Sequence, residues 1–224
     1  MSINPHIFRE FSIRGIADHD LTDEVVVVIG QAVGAFFKER SGTTLVLGRD
    51  GRNSSPRISA TLAQGLQTAG LKVIDLELVP TPVHNFATDF YGADGGVMVT
   101  ASHNPPEHNG FKIRNHQRTL YADEIQEIYR LATEAAHSSA AATATTGSIE
   151  SADIIPIYLG RLKAYANFQT TRPLKIVVDG GNGTNGLIVA RLLRELGCQV
   201  IELYCQPDGN FPHRSPDPTA SGAL

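Results

Sequence analysis

Residues 44–76 read TLVLGRDGRNSSPRISATLAQGLQTAGLKVIDL and contain a complete pattern of strand, loop, helix and strand. An apolar run at residues 44–47 leads into a polar loop at residues 48–52. Two serines and Pro56 then supply a helix start, with a hydroxyl available to cap it. Apolar residues follow at helical spacing, and a second apolar run stands at residues 72–76. This order of elements predicts an α/β protein with a largely parallel sheet.

The same alternation continues on both sides of that unit. A helix is expected from Thr22, whose hydroxyl can cap it, to near Gly42. Residues 79–82 (VPTP) are expected to form an extended turn, because each proline disfavours helical geometry in the residue before it. Further strands are predicted at residues 95–100 and 110–114.

The polar segment HSSAAATATTG, residues 137–147, has no apolar period and predicts a linker or surface loop. We therefore expect a mixed, mostly parallel sheet domain with flanking helices at residues 1–147. Part of a second, similar α/β domain is expected at residues 148–224, since one strand–helix–strand unit with a proline-rich tail cannot close a covered sheet. Its predicted elements are a helix at 151–166, a strand at 174–178, a helix at 186–196 and a strand at 199–204.

Composition excludes several classes of protein. The chain has 224 residues, a formal net charge of −4 and a pI near 6.0, so no nucleic-acid or membrane partner is predicted. The pure apolar run at residues 25–29 is far too short to span a bilayer, and no secretory signal is visible. Cys198 and Cys205 do not form a disulfide framework or a zinc cluster, which favours a cytoplasmic location.

The residues with side chains suited to catalysis are concentrated in residues 97–113, VMVTASHNPPEHNGFKI. An apolar strand delivers Ser102 to a loop, and ligands of open α/β sheets collect beyond the carboxyl ends of strands. Lys112 follows ten residues later, and a fixed cation beside a hydroxyl suits phosphate chemistry. A serine hydrolase is disfavoured because the G-x-S-x-G elbow is absent. A purely structural turn also fits these residue types.

The sequence itself resembles a family at this point. TASHNP at residues 100–105, followed by NGFKI, resembles the active-site loop of the α-D-phosphohexomutases. Other blocks resemble the phosphomannomutase/phosphoglucomutase branch of that family, and a phosphoglucosamine mutase fits less well. These blocks run in the same order along almost the whole chain: FREFSIRG at 8–15, VLGRDGR at 46–52, VPTP at 79–82, VVDGGNG at 177–183 and DGNFP at 208–212.

The resemblance implies a function for each matching residue. Ser102 would carry a phosphoryl group, donate it to a hexose 1- or 6-phosphate to form a hexose 1,6-bisphosphate, and recover one from the other end of the sugar. Arg14 and Lys112 match positions that flank the phosphoserine. Because arginine does not readily lose its proton, Arg14 is expected to act electrostatically. His103 matches a residue of the family's loop and is expected to orient the loop or the substrate.

The resemblance also implies Mg²⁺, with Ser102 supplying one oxygen ligand once phosphorylated. The family takes its other ligands from a D-G-D-G-D-type loop in a third domain, and this sequence contains no such run. Phe11 and Ser12 depart from the Tyr and Asp that usually open the family's sequences. Two hypotheses therefore remain: a phosphohexomutase, or a catalytically incompetent fragment that serves as a binding or structural module.

Two glycine-containing loops have alternative readings. Residues 48–52 (GRDGR) could cradle a phosphate, or could form a turn whose charges brace the neighbouring serine segment, and we favour the brace. Residues 179–183 (DGGNG) lie between a strand and a helix but lack the G-x-G-x-x-G and Walker A spacings. They are read as a turn rather than a nucleotide site. The sequence assigns no oligomeric state.

Overall fold

The protein is represented by a computed structural model that describes residues 1–137, 147–166 and 172–220. A 3₁₀ turn at Pro5–Ile7 precedes the sheet. The strands are β1 (Ile13–Ile16), β2 (Thr44–Arg49), β3 (Lys72–Leu78), β4 (Gly95–Val99), β5 (His108–Asn115), β6 (Ser148–Ser151), β7 (Lys175–Asp179) and β8 (Gln199–Leu203). The helices are α1 (Asp23–Lys38), α2 (Ser55–Thr68), α3 (Thr81–Phe90), α4 (Asp123–His137), α5 (Ile155–Tyr165) and α6 (Gly186–Glu195).

Six strands form one mixed sheet in the order β1-β5-β4-β2-β3-β6. The β4–β2, β2–β3 and β3–β6 pairings are parallel, whereas β5 runs antiparallel to β4 and to β1. β7 and β8 form a separate parallel pair. The predicted mixed, mostly parallel α/β fold is confirmed.

Strand alternation divides the core of the six-stranded sheet into two layers. On β2, Leu45 and Leu47 join the cluster on one face, together with buried residues of α1, α2 and α4. Val46 lies between them in sequence and joins the cluster on the other face, with buried residues of α3 and α5. Because a strand's side chains point alternately to opposite faces, helices on both sides leave β2 buried throughout its centre.

Two helix starts differ from their predictions. Thr22 caps α1 as expected, with its Oγ1 accepting from the Val25 amide at 3.5 Å. Ser54 stands before α2 but makes no side-chain cap, because its hydroxyl accepts a hydrogen bond from Asn109 instead. The extended turn predicted at residues 79–82 is shorter than expected. α3 already begins at Thr81, since a first helical turn tolerates the missing N–H of a proline.

Two short strands were not predicted. β1 and β6 have four residues each, too few for a periodic signal, and every residue of β6 is exposed at the edge of the sheet. The helix expected from residue 151 begins at Ile155. Most of the expected linker, residues 138–146, lies outside the described residues. None of the described helices is both long and apolar enough to cross a membrane.

Candidate active site

The segment that follows β4, residues 100–108, ends on the first residue of β5 and is called here the serine loop. β4 is buried along its whole length, and Ser102 emerges exposed just beyond its carboxyl end, as predicted. Ser102 has a φ of 58°, in the left-handed region that few non-glycine residues enter and in which the backbone is strained. Its amide donates to Thr100 Oγ1 at 2.9 Å. The strand therefore displays a hydroxyl on a strained, internally bonded turn.

A single buried guanidinium holds the carbonyl groups of this loop. Arg52 is only 1% exposed. Its Nη2 donates to the carbonyl oxygens of Ser102 at 2.9 Å and Asn104 at 2.7 Å. Its Nη1 donates to those of Pro105 at 2.6 Å and His108 at 3.1 Å. The interpretation of residues 48–52 as a brace for the serine loop is thus confirmed.

The charge of Arg52 is balanced by Asp50. Arg52 Nε donates to Asp50 Oδ2 at 3.2 Å, and Ser55 Oγ donates to Asp50 Oδ1 at 2.6 Å. Asn109 Nδ2 in turn donates to Ser55 Oγ at 2.9 Å. Burial lowers the pKa of Arg52, and the charge of Asp50 opposes that shift. This network joins the end of β2, the start of α2 and the start of β5 into one support.

Arg14 and Lys112 lie beside the serine loop on the same face of the sheet. Arg14 on β1 stands opposite Gly110 on β5, so Lys112, two residues further along β5, points to the same side. Arg14 Nη1 donates to Asn104 Oδ1 at 2.8 Å. Burial, and then the charge of Arg14, lower the pKa of Lys112.

Positive charge at this face is not neutralised locally. Burial lowers the pKa of Arg14, with further contributions from the charges of Arg9 and Arg52. The Nε of Arg14 is buried without a hydrogen-bond partner, and no carboxylate of the described residues forms an ion pair with Arg14 or Lys112. Two crowded cations with spare donors are the arrangement that an anion would stabilise.

His103 is exposed on the serine loop, next to Ser102. In the C-terminal part of the described chain, hydrogen bonds from Thr219 lower the pKa of Asp217, and electrostatic interaction with His103 lowers it further. The same part reaches the GRDGR loop, since Asn53 Nδ2 donates to Asn210 Oδ1 at 2.7 Å.

Phe11 and Ser12, the two residues that depart from the family's usual Tyr and Asp, lie in different environments. Phe11 is 57% exposed and stacks on Tyr121, with ring centroids 6.2 Å apart. The guanidinium of Arg118 covers the same tyrosine at 4.8 Å. Ser12 is buried, and its carbonyl accepts from the Arg9 amide at 2.9 Å.

The described residues do not complete a magnesium site. Ser102 offers one oxygen, but this part of the chain contains no group of three or more His, Cys, Asp or Glu side chains able to hold a metal. The carboxylate of Asp50 is already engaged by Arg52 and Ser55. Mg²⁺ prefers several oxygen ligands in near-octahedral geometry, so further ligands from elsewhere would be required.

The glycine loop, residues 179–183, has the structural character predicted for it. Gly181 and Asn182 both have positive φ, 52° and 58°, and the Gly181 amide donates to Asp179 Oδ1 at 3.0 Å. Arg214 forms a bidentate pair with Asp179, with Nη–Oδ distances of 2.8 and 2.9 Å. The polar groups of this loop bond to one another and to the following segment.

Arg52 and Asn104 are the residues whose detailed roles the sequence did not reveal. The Asp-x-Arg spacing of residues 50–52 signalled a charged turn, but not that one guanidinium would serve four carbonyls. The amide of Asn104 was grouped with the loop's polar residues, and only the pairing of β1 with β5 brings Arg14 to it.

Comparisons with known proteins identify the family and agree with the fold. The family model for "Phosphoglucomutase/phosphomannomutase, alpha/beta/alpha domain I" matches residues 5–139, and the one for domain II matches residues 156–224. A "Phosphomannomutase/phosphoglucomutase" of Pseudomonas aeruginosa is 42% identical over 212 residues, covering 95% of this chain and 44% of that protein. A "Phosphoglucomutase" of Neisseria meningitidis serogroup B is 38% identical over 97% of this chain and 46% of its own length.

A solved structure gives the same result. The crystal structure of a phosphoglucomutase/phosphomannomutase family protein from Burkholderia thailandensis superposes with a TM-score of 0.87 at 38% identity. The superposition covers 98% of this chain and 48% of the Burkholderia thailandensis chain. The chain therefore spans somewhat less than half the length of the relatives that it matches.

Fold and site together define an α/β protein that displays a serine hydroxyl among cations at the end of a sheet. The family models match well over half of the chain in two consecutive blocks. This chain belongs to the phosphoglucomutase/phosphomannomutase family and corresponds to its N-terminal portion.

Proposed function

We propose that Ser102 accepts and donates a phosphoryl group, and that the protein of which this chain is the N-terminal portion interconverts hexose 1-phosphate and hexose 6-phosphate. The observation that carries the proposal is the exposed Ser102 hydroxyl on a left-handed turn beside Arg14 and Lys112, cations without a carboxylate partner in the described chain. The sugar would be that of mannose or glucose, in keeping with the names of the relatives.

The reaction balances as two phosphoryl transfers. In the first, the bond between phosphorus and Ser102 Oγ breaks while a hydroxyl of the hexose phosphate attacks phosphorus, giving a hexose 1,6-bisphosphate. The proton of that hydroxyl leaves, and the serine oxygen regains one. After the sugar turns over, Ser102 Oγ loses its proton and attacks the other phosphorus, and the bond from that phosphorus to the sugar oxygen breaks. The sugar oxygen takes up a proton, the isomerised monophosphate is released, and the phosphoserine is restored. No phosphate is gained or lost overall, so the reaction is an isomerisation.

The cations have complementary tasks in this scheme. Phosphoserine brings about −1.5 to −2 units of charge, which Arg14 and Lys112 would neutralise from the same face of the sheet. Arg14 keeps its proton and positions charge, while its bond to Asn104 ties it to the serine loop. Lys112 has a pKa lowered by burial and by Arg14, so we assign to it help with the proton as well as charge. His103 is assigned to orienting the loop or the sugar.

The remaining assignments follow from the same proposal. Its partners would be the phosphohexose and the 1,6-bisphosphate, with no nucleic acid and no membrane. Mg²⁺ is proposed as the cofactor, with ligands beyond Ser102 supplied from outside the described residues. A cytoplasmic location is supported by Cys198 and Cys205, which are both buried free thiols. The boundary expected at residue 147 would separate β6, at Ser148–Ser151, from the six-stranded sheet in which it pairs with β3. We therefore place the domain boundary after Ser151, still in the interval between the two family matches.

The second candidate is a fragment without turnover that acts as a binding or structural module. It is favoured by one observation, that the chain covers only 44% of a relative's length. The two are separated by supplying the purified chain with hexose 1-phosphate, Mg²⁺ and a trace of hexose 1,6-bisphosphate, and following hexose 6-phosphate. Turnover that is lost in Ser102→Ala supports the mutase. Because the described residues do not complete a magnesium site, the same assay is run on the protein of which this chain is the N-terminal portion, and binding of the sugar phosphate without conversion there supports the module.

A further inference from the structure

We propose that Arg52 is the positioning residue of the serine loop, holding Ser102 in the conformation in which its hydroxyl accepts a phosphoryl group. The proposal rests on the function proposed for Ser102. The sequence predicted that the GRDGR loop as a whole acts as a brace but gave Arg52 no role of its own. Its position inside the GRDGR loop, behind the serine loop, assigns the role to it.

Every N–H donor of the Arg52 guanidinium is used in a hydrogen bond to the serine loop or to Asp50. Nη1 and Nη2 each serve two carbonyl oxygens, and Nε serves Asp50. A guanidinium has five N–H donors in a fixed fork, so these five contacts leave none for a substrate. Arg52 therefore acts on the chemistry through Ser102 and not by touching the reacting groups.

The contacts fall where the loop needs restraint. The left-handed φ of Ser102 persists only if its surroundings determine it, and Arg52 binds the carbonyl of Ser102 itself. It also binds the carbonyls of Asn104 and Pro105, so the chain direction on the far side of the serine is fixed by the same planar group. A change in that group would rotate the hydroxyl relative to Arg14 and Lys112.

Arg52 also lies between the two α/β units. The ring of Phe211, in the C-terminal part of the described chain, has its centroid 5.5 Å from the Arg52 guanidinium carbon. Contact with an aromatic ring and almost complete burial limit water's access to the fork. The carbonyls of the serine loop thus rely on Arg52 rather than on solvent.

Arg52→Lys tests this role while keeping the positive charge. A lysine has three donors on a flexible stem and cannot reproduce the planar fork. Arg114→Lys is the matched control, because Arg114 is also largely buried and binds the carbonyls of Asn85 and His116, at the opposite end of β5 from the serine loop. Both variants are compared with the parent chain by circular dichroism and thermal unfolding before further measurement.

Two measurements are then made on folded protein. Amide hydrogen exchange of peptides covering residues 100–108 reports the loop directly, and intact mass after addition of α-glucose 1,6-bisphosphate with Mg²⁺ reports phosphoryl transfer to the chain. We expect Arg52→Lys to accelerate exchange in the serine loop alone and to slow phosphoryl uptake about tenfold to a hundredfold, since small misplacements of a reacting group have effects of that size. Arg114→Lys should leave both close to the parent.

The outcomes separate the two proposals. Unchanged exchange and unchanged phosphoryl uptake in Arg52→Lys would overturn the positioning role. Slower uptake with unchanged exchange in the loop would also overturn it, because Arg52 would then act by some means other than holding the loop. If even the parent chain takes up no phosphoryl group, the function proposed for Ser102 fails, while faster loop exchange in Arg52→Lys still supports Arg52 as the brace.

Discussion

The serine loop and the glycine loop share a position in the fold and a backbone conformation but differ in which side chain they expose. Each follows the carboxyl end of a parallel strand, and each contains a non-glycine residue, Ser102 or Asn182, with a φ of 58°. Ser102 is exposed, whereas Asn182 is 6% exposed and bonds inward to Gln206 and His213. The same backbone geometry therefore exposes a serine hydroxyl in one loop and buries an amide side chain in the other.

The Asp–Arg pairs of the two loops also differ in solvent exposure and in the number of hydrogen bonds they make. Arg52 is 1% exposed beside Asp50 and serves four further carbonyls, whereas the side chains of Arg214 and Asp179 are 30% and 36% exposed. A buried pair is costly to break because the remaining charge stays out of water, and an exposed pair contributes little. The comparison teaches that the buried, more extensively bonded pair supports the loop for which we propose the chemistry.

The largest effect is expected at the buried pair. Arg52→Ala leaves the Asp50 carboxylate and four loop carbonyls without their donor, and should lower the free energy of unfolding by about 3–5 kcal/mol. Urea titration of parent and variant measures this. A loss below about 1 kcal/mol would mean that water replaces the guanidinium readily, and the contrast between the loops would disappear.

A second effect concerns His84, buried on α3 against the first sheet. Its Nε2 lies 3.2 Å from the Val46 carbonyl, and a Cβ on Gly96 would lie 2.7 Å from the same nitrogen. Burial lowers the pKa of His84 from 6.5 to about 4. The unfolded chain therefore takes up a proton first as pH falls, and stability present above pH 6.5 is lost between that pH and about 4.

That shift corresponds to roughly 3 kcal/mol of stability across the interval. The urea concentration at the unfolding midpoint of the parent should decrease as pH is lowered from 7 to 4.5. His84→Gln should remove this part of the acid sensitivity. If the variant shows the same decline as the parent, other groups cause it, and the first sheet does not owe its acid sensitivity to a buried imidazole.

The third effect tests charge at the serine loop. Lys112→Gln should weaken binding of inorganic phosphate about tenfold, because one charge-assisted contact is lost. The lysine must be protonated to bind an anion, so affinity should decline as pH rises through its pKa, which burial and Arg14 hold below the ordinary 10.5. Lys112→Arg should move that decline to higher pH. Calorimetric titration across pH checks both, and equal affinity in all three proteins would contradict the anion site.

The smallest effect is expected at the exposed pair. Arg214→Ala should change the free energy of unfolding by no more than about 1 kcal/mol, and raised salt should reduce the difference. The measurement is the same urea titration used for Arg52→Ala. A loss as large as that of the buried pair would show that exposure does not distinguish the two loops.

Much of the fold was predictable because its signals are local. The cap at Thr22 and the apolar strand before Ser102 are readable from a few neighbouring residues. β1 was missed because four residues carry no period, yet β1 is what brings Arg14 to Asn104. The side-chain cap expected at the start of α2 was wrong because Asn109, distant in sequence, takes the Ser54 hydroxyl.

The structure brings Ser102, Arg14 and Lys112 to one end of the sheet, but the sequence did not predict the contacts that support Ser102. Ser102 and Lys112 lie ten residues apart on consecutive elements, so their proximity follows from a strand, a loop and a strand. The fork of Arg52 reaches carbonyls 50 to 56 residues away, and main-chain oxygens leave no mark in a sequence. Long-range contacts to the backbone are therefore the part that required the structure.

Whether a phosphoryl group is esterified to Ser102 is decided most directly by peptide mapping. The chain is incubated with α-glucose 1,6-bisphosphate and Mg²⁺, digested, and examined by tandem mass spectrometry, with Ser102→Ala alongside. We predict one phosphoryl group, located at Ser102 in the parent and absent from the variant. Uptake at another residue, or equal uptake by Ser102→Ala, would contradict the account.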